Sequence, residues 1–143
     1  MAKMVGFNLK KISIERKEDL KEKLEVKSNV DITDIKEEKI ELSKDKDVLS
    51  FNFNFDVNYE PKIAELNFKG NVLVLVEPNE AKEILKKWKK KQIADDLRIL
   101  VLNTILNKCN VMALNLEDDL NLPSHIPLPK LSLNANKQQG YTG

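Results

Sequence analysis

Phe51-Asn52-Phe53-Asn54-Phe55-Asp56-Val57-Asn58-Tyr59 alternates an apolar residue with a polar one for nine positions. Side chains of a β-strand point to opposite faces at every step, so this run predicts a strand with one buried face and one wet one. The next run repeats the pattern. Ala64, Leu66, Phe68, Val72, Val74 and Val76 share a face, Gly70 interrupts it, and Pro61 separates the two runs. An antiparallel hairpin across Glu60-Pro61-Lys62 follows, with a bulge or a close backbone approach at Gly70. The far face of the second run is polar at Glu65, Asn67, Lys69 and Asn71 and turns apolar at Leu73 and Leu75, so a second layer or a partner is expected there.

Upstream, Val5, Phe7 and Leu9 alternate, and the apolar phase then jumps to Ile12 and Ile14, as where a bulge inserts one residue into a strand. Residues 16–25 read as a charged connection. Val26, Ser28, Val30 and Ile32 mark another strand, which Ile35 to Leu42 continues or restarts. Downstream, Pro78-Asn79 opens a short helix with Glu80 and Glu83 in its first turn and Lys86 to Lys91 at its far end, matching the helix dipole. Its stripe is Ile84, Leu85 and Trp88. A longer helix runs from Ala94-Asp95-Asp96 through Leu97, Val101, Ile105, Cys109 and Ala113, with a break offered at Asn110. Ile99 and Leu102 make its apolar stripe wider than one sheet requires. The expected fold is α+β: a four-stranded antiparallel sheet followed by two helices packed on one face. Residues 1–133 are expected to form one domain and 134–143 a disordered tail.

Composition narrows function by exclusion. The chain has 143 residues, 41% hydrophobic and 33% charged, and its 24 basic residues nearly cancel 23 acidic ones. Such a balance supplies no field for nucleic acid or an acidic membrane. No continuous run reaches the ~18 apolar residues of a membrane span, and the N-terminus lacks a signal-peptide core. A cytoplasmic location is expected, in keeping with a lone Cys109.

No catalytic constellation is visible. Four glycines at 6, 70, 140 and 143 cannot build a phosphate loop, so nucleotide chemistry is not expected. His125 is the only histidine, and its neighbours are Ser124 and prolines, which reads as surface or turn chemistry. Asp95-Asp96 and Glu117-Asp118-Asp119 read as helix-start and helix-face carboxylates, and neither a metal nor a cofactor is expected. Lysines around Trp88 read as a solvated helix end beside a buried anchor.

What remains is apolar surface: the aromatic strand face, the wide helix stripe and the tail Leu120 to Leu131 with its three prolines. Self-association explains it, and any part left open becomes a groove for extended apolar peptide. Phe51, Phe53, Phe55, Leu73, Leu75 and Trp88 are the candidate contact residues for clients or for a second copy.

The order of elements, with Lys10-Lys11-Ile12-Ser13-Ile14-Glu15, Ile63-Ala64-Glu65-Leu66 and Leu120-Asn121-Leu122-Pro123, resembles the SecB family of export chaperones. That family's corresponding segments are Lys-Asp-Ile-Ser-Phe-Glu, Phe-Leu-Cys-Glu-Val and Leu-Asn-Leu-Ala-Pro. The resemblance implies a dimer or dimer of dimers that holds unfolded or nascent polypeptides in apolar grooves without ATP, for export or against aggregation. It also implies an acidic face for the motor SecA, matched here by Glu15 and Glu65. Lys11 stands where that family has an aspartate, and Ile126-Pro127-Leu128-Pro129 replaces its asparagine-phenylalanine continuation, which argues against a SecA partner. The alternative is a structural or adaptor subunit that buries the same surface permanently in one partner.

Overall fold

The computed structural model describes residues 2–39, 45–131 and 133. Four strands come first, β1 (Lys3–Arg16), β2 (Glu25–Glu38), β3 (Asp47–Glu60) and β4 (Ala64–Val76), then α1 (Pro78–Trp88) and α2 (Asp95–Asp119). All neighbouring strands are antiparallel, in the spatial order β1-β4-β3-β2. The hairpin β3–β4 therefore forms the centre, and β1 and β2 are the two edges.

Register carries the alternation across the sheet. Phe55 lies between Val30 and Phe68, and Phe53 between Ile32 and Gly70, so all apolar phases fall on one face. That face is covered by α1, α2 and the segment after α2. Phe51, Phe53, Phe55, Val57 and Tyr59 are buried there with Leu66, Phe68, Val72 and Val74, against Ile84, Leu97, Val101, Ile105, Cys109 and Ala113 of the helices. The bulge expected after Leu9 is present as a register shift between Leu9 and Lys11. A further shift between Ile32 and Asp34 keeps Ile35 on the core face of β2, which runs on without a restart to Glu38.

Gly70 is required by close approach. A Cβ there would lie 2.1 Å from the carbonyl oxygen of Asn8 and 3.0 Å from Leu9 Cα. Phe7 and Phe53 stack at 5.5 Å between ring centroids. They come from β1 and β3, the strands on either side of β4, and the missing side chain of Gly70 leaves that space open.

Both helices end in the same way. Gln92 N–H bonds to Lys87 O and Lys91 N–H to Trp88 O after α1, and Leu122 N–H bonds to Glu117 O and Asn121 N–H to Asp118 O after α2. These are Schellman ends, whose pivot residue adopts a left-handed backbone. The pivots are Lys91 (φ 58°) and Asn121 (φ 56°).

One expectation changes. Asn110 does not break α2, which runs for 25 residues without interruption. By length and composition α2 is also apolar enough to cross a membrane, because scattered polar residues dilute its hydropathy little. In this fold it lies along the sheet, with one stripe from Leu97 to Glu117 buried. Residues 40–44, where the β2 continuation and part of the following turn were expected, and the expected disorder from Asn134 onward fall outside the described residues.

Candidate functional site

Among the described residues, edge strand β2 pairs only with β3, so alternate backbone N–H and C=O groups along its outer side lack a strand partner there. Helix α2 does not close over that edge. Between them runs a trough walled by half-buried Val30 and Ile32 of β2 and Leu102 and Leu106 of α2. One cavity of about 400 Å³ occupies its Trp88 end and another of about 270 Å³ its Ile126 end, with Val30 in the wall of both.

Each end is built by polar anchoring. At the first, Trp88 Nε1 donates to Asp34 Oδ1 at 3.1 Å, and Ile35 N donates to the same oxygen at 2.9 Å. The indole bond, more than the nearby lysines, holds the Asp34 carboxyl below its usual range. The ammonium of Lys91 lies 4.5 Å over the indole ring, a cation–π contact.

At the other end the chain after α2 is strapped onto the core. His125 Nδ1 is 2.8 Å from Glu117 Oε2, and Nε2 is 2.8 Å from Asn110 Oδ1. The His125 backbone N–H donates to Glu117 Oε1 at 3.0 Å. The Tyr59 hydroxyl donates to the Pro123 carbonyl, and burial, then the Glu117 charge, raise its pKa. Leu122 is buried and the His125 ring meets Phe55 edge-on. These contacts set Ile126 beside Leu106 at the end of the trough.

A third cavity of about 450 Å³ lies on the other side of the α1–α2 loop, floored by Ile84, Leu97 and Leu100 and rimmed by Glu80, Glu83 and Asp96. Among the described residues, no three His, Cys, Asp or Glu side chains come together as a metal site would need.

The expected contact residues separate. Phe51, Phe53 and Phe55 are buried in the core under the helices, which corrects their assignment to client or subunit contact: the alternating face that marks them is the one α2 covers. Leu73 and Leu75 are half-buried on the opposite face of the sheet, away from the trough. Trp88 lines the trough at one end, and Phe55, although buried, contributes to its wall at the Ile126 end.

Glu15 and Glu65 are direct cross-strand neighbours, yet they do not make an acidic face. Lys17 pairs with Glu65 at 3.3 Å, and Lys11 faces Lys69 further along the same strands. His125 is not surface chemistry but a buried anchor, and Glu117 is no solvated helix-face carboxylate. Sequence reasoning missed Val30, Ile32, Leu102, Leu106 and Ile126 as groove residues, since nothing local shows that β2 ends at an edge.

No family model matches the chain, and no curated protein does. A solved structure does: the Mycobacterium tuberculosis SecB-like chaperone Rv1957 in complex with a ChAD peptide from the HigA1 antitoxin. The two superpose with a TM-score of 0.54 at 15% identity, over 92% of this chain and 90% of that one. The chain has a SecB-like fold. The edge strand, the trough and the strapped tail described above are features of this chain's own version of that SecB-like fold.

Proposed function

We propose that this protein is a holding chaperone that binds unfolded or nascent polypeptides along the β2–α2 trough, without ATP. The observation that carries this reading is a strand edge, unpaired among the described residues, beside an open channel of mixed polar and apolar lining whose apolar walls are Val30, Ile32, Leu102 and Leu106. An extended client adds backbone hydrogen bonds to β2 while its alternate side chains bury against Val30, Ile32, Leu102 and Leu106. Burial releases about 25 cal/mol per Å² of apolar surface without demanding a particular sequence, which suits a protein that meets many clients. The peptide in the similarly folded M. tuberculosis protein supports the reading.

Self-association accompanies it. Ile99 is 55% exposed, Leu100 41% and Val111 60%, all on α2 away from the sheet. A second copy seated on Leu100 and Val111 leaves the trough open, since at 3.6 residues per turn Leu102 and Leu106 lie on the opposite side of α2. An adaptor with one permanent folded partner is the second reading, favoured by the same exposed stripe.

The test is light scattering from a chemically unfolded, aggregating protein, with and without stoichiometric amounts of this chain and no nucleotide. Suppression by the natural sequence, lost in Val30→Asp, supports the proposal. Absence of suppression by protein with a folded circular dichroism spectrum transfers the case to the adaptor.

A further inference from the structure

We propose that the Trp88 end of the trough is a carboxylate subsite, which selects clients carrying an aspartate or glutamate side chain beside their apolar stretch. The inference rests on the trough being the client groove. Two cations line this end, Lys91 and Arg98, among apolar walls of Ile32, Ile93 and Leu102. Among the described residues Arg98 has no ion-pair partner.

Lys91 occupies the pivot of a Schellman end at φ 58°, where glycine is the residue without steric cost. Its side chain is nevertheless there, laid over the Trp88 ring and into the cavity. A non-glycine residue held in the left-handed region beside a cavity is the kind of strain that clusters at ligand sites.

The acidic groups nearby have partners of their own, and of them Asp34 also feels the charge of Lys91. Asp34 is engaged by Trp88 and by the Ile35 N–H, with Lys36 at 3.7 Å. Asp31 contributes to the same rim, but its carboxylate sits with the polar face of the sheet, accepting from Asn29 at 2.9 Å. Asp96 lines the cavity on the other side of the loop with Glu80 and Glu83. Lys87 joins those carboxylates at their cavity, whereas at the trough Lys91 and Arg98 outnumber Asp31.

The Ile126 end, lined by Ser28, Asn29 and Asn110, carries no charge. From Ser28 to Thr33 the floor measures about 17 Å at ~3.3 Å per residue, room for five or six extended residues with the acidic one at the Trp88 end. Both cations are exposed, so the attraction is of the modest, salt-screened kind.

Fluorescence anisotropy of the full chain with labelled, end-blocked ten-residue peptides tests this. Three peptides share one apolar core and carry Glu, Gln or Lys at the flanking position, placed at either end in turn. The Glu peptide is expected to bind about fivefold tighter than the Gln peptide at low salt, and less so as salt rises. In the Lys91→Gln/Arg98→Gln variant the Glu and Gln peptides bind alike. Equal binding of Glu and Gln peptides to the natural chain overturns the subsite, as does a preference that survives in the variant. A gain seen only with a free C-terminal acid overturns the side-chain reading in favour of chain ends. Failure of every peptide to bind overturns the groove itself.

Discussion

His125 and Glu117 are joined inside the protein: Nδ1 and Oε2 are 2.8 Å apart, and each side chain is 1% exposed. The pair connects a segment without regular structure to the last turns of α2. Its geometry places Ile126 at the mouth of the trough, so a buried polar contact positions an apolar wall of the candidate site.

Removing one partner of a buried hydrogen-bonded pair leaves the other unsatisfied, at a cost of about 1–3 kcal/mol. Glu117→Ala and His125→Ala are each expected to lower stability by about that much. The double variant should lose less than the sum, with a coupling of at least ~1 kcal/mol in urea titrations. Additive losses would show that the pair does not act as a unit.

Core and groove separate under substitution. Phe53→Asp puts an unpaired charge into the buried face and is expected to abolish the folded circular dichroism spectrum. Leu106→Asp, on a half-buried wall, should keep that spectrum and weaken suppression of client aggregation at least tenfold, read by light scattering.

Gly70→Ala adds a carbon 2.1 Å from Asn8 O, which is backbone and cannot swing away. Strand β1 must move off β4. A loss of about 3 kcal/mol or more is expected, read as a lower urea midpoint. Gly6→Ala meets only the flexible Leu73 side chain, at 3.1 Å, and should cost markedly less.

The outer stripe of α2 is tested by Val111→Lys combined with Leu100→Lys. Light scattering coupled to size exclusion should show a multiple of the single-chain mass for the natural sequence and the single-chain mass for the variant. Neither position faces the core, so the thermal midpoint should change by only a few degrees.

Burial pushes the Cys109 thiol up to about 12 from 9.0. The unfolded chain therefore releases this proton before the folded one does. The stabilisation is complete below pH 9 and is lost as pH rises from there towards 12, at up to ~1.4 kcal/mol per pH unit. Tyr59, also raised, adds a loss of the same sign above pH 10. Urea midpoints at pH 7, 9 and 10.5 should fall less steeply for Cys109→Ala than for the natural chain.

Much of the architecture was legible because its signals are local. Alternation from Phe51 to Tyr59, the phase jump after Leu9, glycine at 70 and the acidic-to-basic gradient of α1 each act within a few residues. The candidate site was mostly not legible. Asn110 looked like a helix break and His125 like a turn residue, because the group that satisfies each lies 15 positions away along the chain, brought close by the turn after α2.

By itself, then, the sequence determined which side chains share a strand face, where β1 bends and where the two helices begin, since two-residue and 3.6-residue periods are properties of the backbone. Only the tertiary structure decided that the aromatic face of β3 is core and that β2, rather than β3, stands at the edge beside an open α2. It also decided that Lys91 and Arg98 meet at one cavity. Those relationships depend on which strands become neighbours and on what the helices leave uncovered, and a local pattern reads the same in a central strand as in an edge one.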